Sequence, residues 1–251
     1  MAALLVQIRV LAAALAAVVA VAVPTAQALF GFGLSAGEFS YQGDATLRVA
    51  GYAFSIWGLL YIGMIAHAGY QVVLGPRSDT PPMLVWGSVL AMSGCGLWII
   101  AAALNGVWWT LGILSVAAAA LIFALARAGE AGSTPEQWLV RAPMSLLAGW
   151  LTIAAIVNAM TSLTIEGFIG AEHAQIAALA AIAVALVLAS ALALRLRNAL
   201  YLLPIAWGLG GVYAAELARK TLVAQAAAAA ALALLVVAVL VIVARRRQRQ
   251  A

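Results

Sequence analysis

Charge is what this chain has least of. Only 8% of its residues are Asp, Glu, Lys or Arg, and 67% are hydrophobic, where a soluble domain carries about 25% charge. That excludes a soluble globular protein and identifies an integral membrane protein. Cysteine is nearly absent too. Cys95 stands alone, so neither an internal disulfide framework nor a multi-cysteine metal site can form. Two histidines, His67 and His173, are too few for a histidine-rich metal centre. The small basic excess of +5 sits in short loops and at the C-terminus, so no nucleic-acid partner is expected. No carboxylate pair, metal cluster or Ser–His–Asp set lies within an apolar segment. Such a set is what chemistry at mid-membrane would need. No catalytic residue is assigned, and the chain is read as a non-enzyme.

What is present is a succession of long apolar runs broken by polar loops. Runs of about 20 apolar residues are long enough to cross a bilayer as helices. They fall at about Val10–Phe30, Ala50–Leu74, Met83–Leu104, Val107–Ala126, Ala142–Leu163, Ala174–Leu194, Ala199–Ala215 and Thr221–Ala244. The fold class is therefore all-α, a polytopic membrane helix bundle of about eight transmembrane helices. Between the spans lie a Gly-rich loop at 29–48, the breaker GPRSDTPP at Gly75–Pro82, a tight-turn signal at Asn105–Gly106, a polar loop at 127–141 and a short loop at 164–173. The first span has a second reading. Arg9, a short apolar run and then Thr25-Ala-Gln-Ala28 also fit a signal peptide with an Ala-x-Ala cleavage site, making residues 1–28 removable.

Orientation follows from the basic residues. With the N-terminus inside and eight alternating spans, the inside holds Arg9, Arg77, Arg127, Arg141, Arg195, Arg197, Arg245, Arg246, Arg247 and Arg249. The outside holds Arg48, Arg219 and Lys220, and the two groups together make up the 13 basic residues. The C-terminus is expected in the cytoplasm. The first, sixth and eighth spans are rich in Ala, Val and Leu, with Ala226–Ala231 unbroken. Small residues let helices approach closely, so these spans are expected to pack rather than to bind.

Aromatic residues carry the remaining signal. Trp86, Trp108, Trp109 and Trp138 lie near span ends, as an interfacial belt would, while Trp57, Trp98, Trp150 and Trp207 lie deeper. Deep tryptophans are either bundle core or the lining of a site for a flat ring ligand. Trp57 and Tyr61 are one helical turn apart, as are Trp150, Ala154 and Asn158 in succession, so each set shares a helix face. The expected ligand-binding residues are Trp57, Tyr61, Trp98, Trp150, Ala154 and Asn158. Ala154 leaves room, and Asn158 offers an amide to a ligand's polar edge or to a neighbouring helix. His67 is expected to be a neutral imidazole bonded to the backbone of a neighbouring helix, with a ligand or haem contact as the alternative. Glu216 and Lys220 stand four apart, the spacing of a retinal helix. Lys220 lies at its span's end with another helix after it, which argues against a Schiff base.

Two of these patterns resemble the TspO/MBR family, the translocator or tryptophan-rich sensory proteins. Phe54-Ser-Ile-Trp57-Gly-Leu-Leu-Tyr61 is similar to that family's second-helix signature. Trp150-Leu-Thr-Ile-Ala154-Ala-Ile-Val-Asn158 is similar to its fifth-helix signature, with Pro143 ahead of it by three residues more than usual. Trp98 falls at the third-helix Trp, but Cys95 stands where the family often has Asn. The W-x-P segment of the first loop is absent, replaced by Gly37-Glu38 and Gly43-Asp44. The resemblance covers residues 1–165 as a five-helix core, with 166–251 forming three additional helices and a basic tail. It implies a receptor for hydrophobic ring compounds, porphyrin or haem or a sterol-like molecule, acting in regulation or transport. It also implies no required cofactor, membrane lipid as partner, room for a homodimer, and a bacterial inner-membrane location. A small-molecule permease without ion coupling is the alternative.

Overall fold

The structure is a computed structural model that describes residues 2–75 and 80–250, with side chains from 3 to 247. Residues 76–79 of the Gly75–Pro82 breaker, Arg77 among them, lie outside the described residues, as does the side chain of Arg249. Among the described residues there is no β-strand. The helices are α1 (Ala2–Phe30), α2 (Ala36–Tyr41), a 3-10 turn (Gly51–Ser55), α3 (Ile56–Leu74), α4 (Pro82–Ala103), α5 (Val107–Arg127), the short α6 (Thr134–Glu136) with a π-turn (Gln137–Arg141), α7 (Ala142–Ile165), α8 (Ala174–Leu196), α9 (Leu202–Glu216) and α10 (Thr221–Gln250).

Seven helical segments among the described residues are long and apolar enough to cross a membrane. The eighth expected span corresponds to α9, which has 15 residues. At about 1.5 Å per residue it is roughly 22 Å long, short of the ~30 Å hydrocarbon core. Three local expectations need correction. The 29–48 stretch is not all loop, since α2 and a chain of turns occupy it. The second span opens as a 3-10 turn rather than as α-helix from Ala50. The 127–141 loop becomes helical from Thr134, because Ser133 caps that turn by accepting the Glu136 N–H (3.2 Å) and Pro135 sits in its first turn. Ser133-Thr-Pro-Glu136 is a capping-box pattern, legible in the sequence but missed. The Asn105–Gly106 turn does form, with Asn105 in the left-handed region at φ 52°, which Asn tolerates.

The chain divides into two compact units. One comprises 1–35 and 57–148, the other 36–56 and 149–251. In the first, α4 packs on α1 and α5. Ala13, Ala16, Ala17 and Ala20 line the buried face of α1 at helical spacing, while Leu11, Leu15 and Val18 face outward. Putting small residues inside and large apolar ones outside suits lipid, because van der Waals fit between backbones, not hydrophobic exclusion, draws helices together there. Gly96 fits this scheme. A Cβ at that position would lie 2.7 Å from Val19 of α1.

In the second unit, α10 packs on α9 and α8. Ala178, Ala185, Ala189 and Ala193 of α8 and Ala224, Ala227 and Ala230 of α10 are buried, with Val184, Val187, Leu232 and Val236 outward. Tyr201, fully buried ahead of α9, shares a 2.9 Å hydrogen bond with Thr152 of α7. The first-loop residues 36–56 belong to this unit.

Candidate functional site

In the first unit the aromatic pair expected on one helix face is formed. Trp57 and Tyr61 stack with ring centroids 5.5 Å apart and planes inclined by 27°. Both are half-buried, so a ring surface stays accessible at that end of α3. Trp98 is buried on α4. Further along α3, His67 is fully buried and its Nε2 lies 2.7 Å from the Ser88 hydroxyl of α4. Ser88 gives its own proton to the Val85 carbonyl (2.7 Å), so Nε2 is the nitrogen that donates. His67 thus reaches the neighbouring helix through a serine side chain, not directly through its backbone as expected.

In the second unit, Trp150 is buried on α7 against Gly208 of α9, where a Cβ would come 3.7 Å from the indole. Ala154 is half-buried, one turn along. Asn158 is buried, and its amide donates to Ser162 of the same helix (3.3 Å). The two sets therefore belong to different units, Trp57, Tyr61 and Trp98 to one and Trp150, Ala154 and Asn158 to the other. Trp207, taken from the sequence as a deep residue, is 42% exposed and donates its indole N–H to the Ala53 carbonyl (2.9 Å). Trp86, Trp108, Trp109 and Trp138 all have exposed side chains, as an interfacial belt requires.

Sequence reasoning missed two ionic clusters. In the first unit, Glu136 and Arg141 are both buried. Glu136 Oε1 accepts from Arg141 Nε (2.9 Å) and lies 2.8 Å from its Nη2, while Oε2 accepts the Gly132 N–H (2.8 Å). Arg141 also donates to the carbonyls of Gly129 (2.6 Å) and Ala128 (3.1 Å) at the end of α5. The five-residue separation follows no helix-face rule, so nothing in the spacing marked it.

In the second unit, the cluster gathers Asp44, Arg48, Glu216, Arg219 and Lys220. Glu216 closes α9 and is fully buried. Its Oε1 accepts the Arg48 backbone N–H (2.8 Å), with Arg219 Nη1 at 3.8 Å. Arg219 Nη2 donates to the Asp44 carbonyl (3.1 Å), and Asp44 pairs with Arg48 (3.1 Å). Lys220 Nζ donates to the carbonyls of Ala45 (2.5 Å) and Thr46 (2.8 Å), which occupies the amine that a Schiff base would need. Burial pushes the Asp44 carboxyl above the usual range, against the opposing pull of Arg48 and Arg219. Burial likewise lowers Lys220, opposed by Glu216. Among the described residues no three His, Cys, Asp or Glu side chains gather as metal ligands.

The sequence matches the family described as TSPO-like protein over residues 7–241. The chain belongs to that family. The match takes in α8, α9 and most of α10 as well as the helices that carry the tryptophan motifs. Comparison with curated proteins and with solved structures finds no match. The TSPO-like family is one of membrane sensory or translocator proteins and is generally non-enzymatic.

Proposed function

We propose that this TSPO-like protein binds a hydrophobic ring ligand, a porphyrin, haem or sterol-like molecule, and uses that binding for regulation or transport rather than catalysis. The observation that carries the reading is the half-buried Trp57–Tyr61 stack on α3, in a chain of this family. A flat ligand gains from a ring face presented at the edge of an apolar bundle, because stacking adds to the burial of its surface. Trp98 of the same unit is assigned to the same ligand. Trp150, Ala154 and Asn158 of the second unit are proposed by themselves as ring-ligand contacts. Titration of the purified protein with protoporphyrin, followed by tryptophan quenching, tests this. Saturable quenching that weakens in Trp57→Ala supports it, and quenching that never saturates overturns it.

The second reading is a permease for a small hydrophobic substrate without ion coupling. It draws on the middle of the apolar spans, which holds no Asp, Glu, Lys or Arg, where ion-coupled transporters usually keep such groups. Uptake of an apolar dye into proteoliposomes without porphyrin binding would favour it. We assign the C-terminus to the cytoplasm of a bacterial inner membrane, from the arginines at 245–249. Alkaline phosphatase fused there is expected to be inactive in a bacterial host, and strong activity would reverse the assignment. A homodimer and contacts with membrane lipid complete the proposal.

A further inference from the structure

The segment 44–53 is held along one helix at three levels. Near the middle of α9, Trp207 donates to the Ala53 carbonyl (2.9 Å). One turn on, the Gly211 carbonyl accepts the Ala50 N–H (3.0 Å), and a Cβ on Gly211 would lie 2.7 Å from that of Ala53. At the helix end, Glu216 takes the Arg48 N–H, and Arg219 and Lys220 take the carbonyls of residues 44–46. The close approach at Gly211 is open only to glycine, and backbone groups of the segment that would otherwise need water find their partners on α9 and just beyond it.

One atom in this arrangement is not satisfied. Glu216 Oε2 is buried and makes no hydrogen bond. A buried carboxylate oxygen without a donor costs free energy that hydration would recover. Undocking of the segment removes the cover from the helix end and lets water reach that oxygen, so the docked state carries a built-in drive toward release. The bonds of Trp207, Gly211, Arg219 and Lys220 oppose it. A contact held by these bonds and opposed by that oxygen has the make-up of an element with a docked and a released state.

We propose that α9 is a docking rail for the first-loop segment 44–53, and that Glu216 is the positioning residue of a releasable latch. The role of α9 is then to hold this segment. The proposal rests on the second unit alone and does not depend on the ligand reading. It also assigns Glu216 a purpose that its place at the end of an apolar helix leaves unexplained.

Hydrogen exchange on the full-length protein in lipid nanodiscs tests it, read on the amides of Arg48 and Ala50 and the peptides around them. Glu216→Leu is expected to speed exchange across 44–53 about fivefold while the α9 and α10 amides keep their protection. Glu216→Gln, which keeps an acceptor for the Arg48 N–H, is expected to fall between. Unchanged exchange across 44–53 in Glu216→Leu would overturn the latch. If that variant does not fold, Trp207→Phe and Lys220→Met each remove donors to the same segment without touching the carboxylate. Each is expected to raise exchange severalfold, and wild-type rates in both would equally overturn the rail.

Discussion

Glu216 is as buried as the Glu136–Arg141 pair, yet the two ionic sites are built to opposite standards. Both oxygens of Glu136 are bonded, and Arg141 spends its remaining donors on the end of α5. Glu216 has one oxygen bonded and one bare. A fully satisfied buried pair is a brace, because removing either partner strands the other in a low dielectric. A half-satisfied one holds less firmly, because part of what it gains is offset by the bare oxygen. The first ties a turn to the helix that follows it. The second ties a loop segment to a helix far away in sequence, where release does not unfold either element.

The sharpest way to break this comparison is Arg141→Ala. It leaves Glu136 buried without its cation and two carbonyls without donors, and a loss of about 3–5 kcal/mol is expected. Chemical unfolding in detergent, followed by circular dichroism, measures it. Next comes a direct contrast. Glu136→Leu is expected to cost about 3 kcal/mol for the same reason, whereas Glu216→Leu costs only about 1, since it removes the unsatisfied oxygen along with one bond. Equal losses in the two variants would erase the distinction between brace and latch.

The comparison extends from ions to rings, since each unit contributes one set of aromatic candidates. Trp57→Ala and Trp150→Ala are each expected to weaken porphyrin binding by about ten- to hundredfold, on a stacking scale of ~1–3 kcal/mol, with helical content retained. Trp150 lies buried against Gly208, so its variant is expected to lose stability as well, whereas Trp57→Ala is expected to lose affinity alone. Ala154→Phe, which fills the small position between Trp150 and Asn158, should abolish binding. The smallest effect is expected for His67→Ala. Its ring is engaged with Ser88, and porphyrin affinity should stay within about threefold, a difference of ~0.6 kcal/mol. Loss of a haem absorption band in that variant would show that the ring contacts the ligand.

These differences mark where the sequence stops being informative. It carried the membrane class, the helices and the family motifs, because apolar length and helical spacing are local properties that one chain displays along itself. It also foretold that the alanine-rich spans would pack, since small side chains permit close approach wherever they meet. It read α9 as a crossing, because composition fits and only the final length falls short. It placed Trp207 deep, since depth along a helix says nothing about which face turns inward.

Burial of Arg141 and Glu216 was not legible at all. In the sequence both stand at the end of an apolar run, where a charge is normally solvated. Only the tertiary structure brings Arg48 to Glu216 across 168 positions, or spends Lys220 on two carbonyls of the first loop. Hydropathy therefore determined that this chain lies in a membrane as helices. Which charges are enclosed, and which of them are left half satisfied, was decided by packing, because a hydrogen-bond partner is fixed by distance in space and not by distance along the chain.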